Sequence, residues 1–380
     1  MDPLTHALLG AAVAQTAFSR QLGRRAGLIG AVSALLPDAD VLIRSSTDPL
    51  LAIEYHRGFT HSLLFIPVGG FIAALPWLLR RSHREDWKPV PGAATLGYAT
   101  HAVLDSLTTY GTQLFWPFSS YRVALNWISI IDPIFTLALL IGVALAAYRA
   151  SFRPAAAALV FCLAYLGLGA VQRERALGAQ ERIAASHGNV RVRGEVFPTI
   201  GNNLVWRSLY LAGDSLHADR IRVPWLGPAH WVPGTAVRRV RETDLSPAAR
   251  GDPRVVRDFR RFAWFSDGWV ARAPADSTVL GDARYSLVTD AFQPVWGVRF
   301  HPDNPERPTE WVNRTRDRDL RLDALWAEIT GRGMFTSRSS TAPGWKGELP
   351  ASPSGWPVFP DTSSPGALRR RLPSPAWPTR

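Results

Sequence analysis

The sequence predicts an α+β protein, in which an amino-terminal polytopic transmembrane helical bundle precedes a smaller strand-rich soluble domain. Apolar stretches rich in Ala, Leu, Ile and Val fill residues 1–172, and short runs of charge separate them. Later in the chain, Val, Tyr, Phe and Trp alternate with polar residues between turn formers, as in β-strands. We therefore expect a transmembrane helical domain at 1–172, a strand-rich extracytoplasmic domain at 183–335 and a disordered Pro/Ser-rich tail at 336–380.

The composition limits the classes of function. Cys162 is the only cysteine, so an internal disulfide and a cysteine-based metal site are excluded. The net charge of +12 comes almost entirely from arginine and lies mainly in the second half. No basic helix, Cys/His finger or RNA-binding aromatic motif accompanies that charge, so we expect no nucleic-acid partner. The start Met1-Asp2-Pro3 lacks a basic region, and we expect no cleavable signal peptide.

Six apolar segments are candidate membrane spans. Those at 130–148 and 154–171 have the length and apolarity of a span, and 62–79 follows with two prolines. The other three are shorter or interrupted by polar residues, and buried helices of a soluble domain are the alternative for them. These three segments are 4–18, 27–43 and 92–110.

The loop charges predict an orientation. Nine basic residues fall in alternate loops, whereas the opposite loops, 44–60 and 111–129, hold three. By the positive-inside rule, the nine-residue side is cytoplasmic, so six spans leave both termini outside. The nine residues are Arg20, Arg24, Arg25, Arg80, Arg81, Arg84, Lys88, Arg149 and Arg153.

Histidine and aspartate recur at the predicted outer ends of these segments. Ionisable groups at the edge of apolar helices are costly, so they call for a functional explanation. Histidine with aspartate is also the ligand set of hydrolytic metal centres. The sequence therefore predicts a shared metal site whose candidate ligands are His6, Asp38, Asp40, His56, His61, His101 and Asp105.

Each cluster has a simpler alternative. His101 and Asp105 are four residues apart and share a helix face, where a hydrogen-bonded pair is common. The aspartates of the LPDAD motif at 36–40 could bridge cations or mark an ordinary helix exit. Asp132, before Pro133, is best interpreted as a helix cap rather than a ligand.

The stretch HRGFTHS at 56–62 is the most informative. Thr60 or Ser62 could cap the next helix, which would place His61 in its first turn, where backbone N–H groups favour an anion. Arg57 adds a guanidinium suited to phosphate or carboxylate. The alternative is a helix cap flanked by two surface histidines.

Four ordered motifs, MDPLTHALLG, LLPDAD, HRGFTHS and GYATHAVLDSLTTYGTQLFWPF, resemble the membrane-bound metal-dependent hydrolases of the YdjM type. The resemblance covers about residues 1–150. It implies a multi-pass protein of the bacterial inner membrane, with the seven histidines and aspartates above at motif positions.

The leading hypothesis is an integral membrane metal-dependent hydrolase of an ester, with a lipid or lipid-linked phosphoester as candidate substrate. One or two divalent ions, expected to be zinc, would activate water at the outer face. Asp40, Arg57 and Asp105 are the candidate catalytic residues. The alternative is a non-enzymatic membrane protein with a structural metal site or an ion or proton pathway.

Overall fold

The computed structural model describes residues 1–79, 87–302, 304, 307–317 and 322–332. Within them, ten α-helices and two four-stranded antiparallel sheets follow one another, with most helices first. The predicted tail at 336–380 lies outside the described residues, as do Arg80, Arg81 and Arg84 of the charge argument.

Seven α-helices come first. They are α1 (Pro3–Leu22), α2 (Arg25–Leu35), α3 (Leu51–Tyr55), α4 (Ile66–Leu78), α5 (Pro89–Ser106), α6 (Pro133–Arg149) and α7 (Arg153–Ser186). Two short 3₁₀ helices, Leu36–Leu42 and Phe59–His61, lie after α2 and before α4.

Capping aspartates start two of these helices. The Asp2 carboxylate accepts a hydrogen bond from the Thr5 amide at the start of α1. The Asp132 carboxylate accepts one from the Phe135 amide at the start of α6, with proline as the next residue in both helices. Asp132 is therefore a helix cap, as its sequence context predicts.

Glycines bring α1, α2 and α5 into backbone contact. A Cβ atom added at Gly30 would lie 2.2 Å from the carbonyl oxygen of Gly10, and one added at Gly97 would lie 2.5 Å from that of Gly30. No larger residue fits at these crossings. The three helices are thus held at a fixed spacing, which sets the positions of the side chains they carry.

The remaining elements form two sheets with helices between and after them. The first sheet has the order β1 (Arg193–Pro198), β2 (Val205–Ala212), β3 (Ser215–Arg222) and β4 (His230–Arg238). The second has β5 (Val270–Ala273), β6 (Asp276–Asp282), β7 (Trp296–Arg299) and β8 (Glu310–Asn313). Between the sheets lie α8 (Pro247–Gly251) and α9 (Pro253–Phe265), and α10 (Leu322–Thr330) follows.

The prediction of a polytopic transmembrane bundle is wrong. Among the described residues, only α7 is long and apolar enough to cross a membrane. A second crossing is counted only if residues 51–61 and α4, which meet at an angle of 85°, are taken as one broken span. The described part of the chain therefore combines ten α-helices, one or two of them span-like, with two small antiparallel sheets.

Early helix ends, short helices and polar residues inside the apolar windows explain the difference. The window at 27–43 leaves its α-helix after Leu35, because Pro37 begins a 3₁₀ turn. The 13 residues of α4 rise about 20 Å, well short of a hydrocarbon core of about 30 Å. α1 and α5 are long enough, but polar residues such as His6 and Gln15 in α1 and His101 and Asp105 in α5 make them too polar.

The two halves share one hydrophobic core. Leu50 and Ile53 are buried in a single cluster with Phe262 and Val270 of the second half. Beside it, the Arg261 guanidinium of α9 contacts the carboxylates of Asp48 and Glu54 at 2.8–2.9 Å. The predicted boundaries at 172 and 183 remain predictions, although α7 continues past residue 172 to Ser186.

Candidate metal centre

The seven predicted ligands lie together and come from four chain segments. α1 contributes His6, and the turn after α2 contributes Asp38 and Asp40. The turn between α3 and α4 contributes His56 and His61, and the last two turns of α5 contribute His101 and Asp105. Their side chains are buried, except that Asp38 is 28% exposed and His56 is 24% exposed. The cluster therefore opens to solvent through Asp38 and His56.

Four of these side chains converge on one point. The Nε2 atom of His101 lies 3.3 Å from Asp38 Oδ1 and 3.4 Å from Asp105 Oδ2. The Nε2 atom of His61 lies 3.7 Å and 3.5 Å from the same two oxygens. Both Nε2 atoms and Asp105 Oδ2 are buried without a hydrogen-bond partner in the described chain. These four side chains can offer one ligand atom each to a single ion.

The separations fit a small tetrahedral ion. Zinc ligands at 2.0–2.1 Å from the ion lie about 3.4 Å from one another. The observed separations of 3.3–3.7 Å agree with that spacing. Two imidazole nitrogens and two carboxylate oxygens are also ordinary zinc donors.

Neighbouring groups orient both imidazoles. The Nδ1 atom of His101 lies 2.6 Å from the Ala34 carbonyl oxygen, to which it can donate as Nδ1–H. The Nδ1 atom of His61 lies 2.9 Å from Thr60 Oγ1 and 3.3 Å from Asp40 Oδ2. With Nδ1 held in this way, each Nε2 lone pair points toward the carboxylates, as in many zinc sites.

Asp40 is already saturated with hydrogen bonds. Its Oδ1 lies 2.8 Å from His56 Nδ1, and its Oδ2 accepts from the Arg57 amide and the Thr60 hydroxyl, each at 2.9 Å. Asp40 could join Asp38 and His56 in a second ligand group. Its contacts with both histidines suit a carboxylate that positions imidazoles better than one that binds an ion directly.

Asp105 is held from two sides. Its Oδ1 lies 2.5 Å from the Met1 amino group and 3.1 Å from His6 Nε2. The His6 ring stacks on His101 with a centroid separation of 3.6 Å, so His6 packs behind the four-residue group. On the other side, Arg57 Nε lies 2.9 Å from Asp105 Oδ2. His6 therefore supports Asp105 and His101 and lies outside both ligand groups.

Cationic neighbours keep the carboxylates ionised. Burial would raise the pKa of Asp105, but the Arg57 guanidinium, the Met1 amino group and contacts with His101 and His6 hold this pKa well below its usual range. Burial is likewise outweighed at Asp38, where contacts with His101 and His61 lower the pKa. The centre therefore presents negatively charged oxygens at neutral pH, as a divalent cation requires.

The predicted helix start at His61 is wrong. His61 belongs to the 3₁₀ turn Phe59–His61, and α4 begins five residues later at Ile66. Ser62 accepts a hydrogen bond from the Phe65 amide and stabilises the intervening turn. Because the turn places His61 ahead of α4, the α4 dipole offers no anion site there, and the cations of the cluster are Arg57 and the Met1 amino group, both on Asp105.

Several residues that support the candidate ligands were not predicted from the sequence. The Thr60 hydroxyl contacts both Asp40 and His61, and Tyr98 donates to the Thr60 carbonyl oxygen at 2.7 Å. The Thr108 hydroxyl accepts a hydrogen bond from Arg57 Nη1 at 3.0 Å. Thr60 and Thr108 lie within the motifs quoted above, but neutral hydroxyls carry no metal-site signal on their own.

Comparisons with known proteins agree with the motifs. The model of the family described as YdjM inner membrane protein matches residues 1–176. Inner membrane protein YbcI of Escherichia coli (strain K12) is 32% identical over 126 residues, which cover 33% of this chain and 72% of that protein. The uncharacterized protein YfhP of Bacillus subtilis (strain 168) is 27% identical over 167 residues, covering 38% of this chain and 46% of that protein. No solved structure matches the chain.

Proposed function

This chain belongs to the YdjM inner membrane protein family of bacteria, and we propose that it is a metal-dependent hydrolase. Its ion, proposed to be zinc, is held by Asp38, His61, His101 and Asp105. The observation that carries the proposal is the convergence, in a buried place, of two imidazole nitrogens without hydrogen-bond partners on the Asp105 Oδ2 atom, which forms an ion pair with Arg57. Buried polar nitrogens without partners are costly, and an ion would satisfy both while also neutralising the carboxylates.

The surrounding residues fit hydrolysis. A bound zinc ion supplies an activated water at neutral pH and polarises an ester oxygen. Arg57 would bind the negative group of the substrate through the part of its guanidinium that does not contact Asp105 and Thr108. Asp40 would hold His61 and His56 in orientation. The partly exposed side of the cluster at Asp38 would admit the substrate.

We propose a phosphoester of a membrane lipid or a lipid-linked compound as the substrate. A protein of the inner membrane meets such esters at the headgroup level. The paired arginine at the cluster suits a phosphate, and the apolar helices beside it suit an acyl or prenyl chain. This part of the proposal depends on location and charge, and a substrate screen decides it.

A structural zinc site is the second candidate function, and one observation favours it. Structural zinc sites use four protein ligands, whereas catalytic sites use three and leave a position for water. Here four side chains are available to one ion. The catalytic proposal requires that Asp38, the most exposed of the four, yields its place to water or substrate.

The first experiment measures metal and hydrolysis on the full chain purified in detergent. We expect a stoichiometric divalent metal, which His61→Ala and His101→Ala deplete, whereas His187→Ala on the surface retains it. We also expect chelator-sensitive hydrolysis of a phosphoester in a screen of phospholipids and phosphomonoesters. Full metal occupancy in both site variants would remove these residues from the centre. A stoichiometric metal without hydrolysis of any ester would favour the structural candidate.

A further inference from the structure

Arg122 is a partly buried arginine with two buried and unsatisfied donor atoms. Its Nη2 group donates to the carbonyl oxygens of Tyr110 and Gly111, at 3.2 Å and 3.0 Å. Its Nε and Nη1 atoms are buried and have no acceptor among the described residues. No other arginine in the described part of the chain has two such nitrogens. Donors of this kind need a partner, and an anion would supply it.

Aromatic rings surround this guanidinium group. Its carbon lies 4.8 Å from the ring centroid of Tyr110, 5.3 Å from that of Trp264 and 5.4 Å from that of Phe265. Rings stabilise a cation through their faces but accept no strong hydrogen bond from its in-plane N–H groups. The in-plane donors therefore remain available to a ligand.

The neighbouring arginines differ, because each has a carboxylate. Arg57 pairs with Asp105, and Arg284 pairs with Asp282 at 2.7 Å. Arg122 has no ion pair within the described chain. Burial lowers the pKa of Arg122 to about 10. Tyr110 partly offsets this effect of burial, whereas the charges of Arg284 and Arg57 add to it. The site thus carries an excess positive charge that a bound anion would neutralise.

Tyr110 connects this site to the metal centre. The Arg57 guanidinium carbon lies 4.7 Å from the centroid of the same Tyr110 ring that Arg122 contacts. The second half of the chain also contributes to this site, since Arg284 lies over the rings of Phe265 and Tyr285. The Tyr285 hydroxyl is buried and has no partner in the described chain. Two orphaned donor groups, one from each half, are thus near enough to Arg57 for its charge to act on them: it opposes burial, which raises the pKa of Tyr285, and adds to burial, which lowers the pKa of Arg122.

We propose that Arg122 and Tyr285 form a subsite for a second anionic group of the substrate, so that the preferred ester carries a diphosphate. This inference rests on the proposed function, in which Arg57 and the metal centre take the phosphate that reacts. The guanidinium carbons of Arg122 and Arg57 lie 4.8 Å and 4.7 Å from the centroid of one ring, so their separation cannot exceed the sum of these distances, a span that two phosphates joined by one oxygen can bridge. The strand-rich half is then a specificity element of the site.

The test compares ligands that differ by one phosphate. Binding of farnesyl monophosphate and farnesyl diphosphate to the full metal-loaded chain in detergent is measured by titration calorimetry. We expect the diphosphate to bind at least about tenfold more tightly, because charge-assisted hydrogen bonds are strong. Arg122→Gln should remove this preference, and Tyr285→Phe should reduce it. Arg222→Gln is the matched control, since Arg222 also donates to a backbone carbonyl oxygen, that of Ile329, and it should leave the preference unchanged.

Orthophosphate and pyrophosphate form the second pair, and they separate a soluble ligand from a lipid-linked one. A diphosphate preference in either pair that depends on Arg122 supports the subsite. A preference that Arg122→Gln leaves intact, or no preference in either pair, overturns it. If Arg122→Gln does not fold, an unchanged preference in Tyr285→Phe decides against the subsite. If diphosphate binding depends on Arg122 but no ester is hydrolysed, the proposed function is wrong and this inference stands. If a monophosphate ester is hydrolysed and Arg122→Gln changes neither binding nor hydrolysis, the proposed function stands and this inference is wrong.

Discussion

At the residue scale, Asp40 makes four contacts with the 56–61 turn. Its two oxygens contact the His56 ring, the Arg57 amide, the Thr60 hydroxyl and the His61 ring. Burial would raise the pKa of Asp40, but contacts with His56 and His61 lower it, so the group is an ionised acceptor. The carboxylate therefore fixes the 56–61 turn against the turn after α2.

We predict that Asp40→Asn weakens metal binding about 10- to 100-fold, since removal of a carboxylate that orients a ligand imidazole typically costs that much affinity. An asparagine turns two acceptor oxygens into one acceptor and one donor, and the donor would face the Arg57 amide or a histidine. Competition with a chelator measures the affinity. Asp214→Asn, at an exposed ion pair with Arg241, is the control. An unchanged affinity in Asp40→Asn would show that the carboxylate does not position His61.

At the element scale, the crossings of α1, α2 and α5 decide whether the centre forms at all. α1 carries His6, and α5 carries His101 and Asp105, while Gly10, Gly30 and Gly97 let the helices touch. Close backbone contact makes the spacing of these helices insensitive to side-chain rotamers. It also leaves no room for a side chain larger than that of glycine at the crossings.

We predict that Gly30→Ala lowers the free energy of unfolding by about 1–3 kcal/mol, because the new methyl group overlaps the Gly10 carbonyl. Denaturant titration in detergent measures the loss. Gly167→Ala, in α7 with no atom within 4 Å of the added Cβ, should be neutral or stabilising by under about 1 kcal/mol. Equal effects of the two substitutions would contradict tight packing at the α1–α2 crossing.

At the scale of the whole molecule, the helical and strand-rich halves depend on each other. Leu50 and Ile53 are buried against α9 and the second sheet, only a few residues before His56 and His61. The Arg261 contacts with Asp48 and Glu54 flank that joint. Removing the second half would therefore expose apolar side chains next to the metal centre.

We predict that Leu50→Ala costs about 2–5 kcal/mol of stability, the usual range for a buried leucine. Tryptophan fluorescence, which reports mainly the second half, and metal release should shift together along a denaturant titration. Leu42→Ala, at an 80% exposed side chain, should leave both transitions in place. Metal release that stays at its original midpoint while the fluorescence shifts would show that the halves are independent.

The sequence by itself was enough to identify the candidate centre. The seven histidines and aspartates, Arg57 and the Asp132 cap are local features, because residue type and short spacing determine what each can bind. The four ordered motifs likewise agree with the inner membrane family. Stacking of His101 and Asp105 on one helix face also follows from spacing alone.

Only the tertiary structure decided the number of span-like helices, the separate roles of His6 and Asp40, and the position of Arg122. Hydropathy windows count apolar residues but cannot detect the end of an α-helix inside the window, such as the one at Leu35. The partners of His6 and Arg122 come from segments distant in sequence, including α5 for His6 and the end of α9 for Arg122. Such contacts depend on how helices and sheets pack, and no short stretch of sequence encodes that packing.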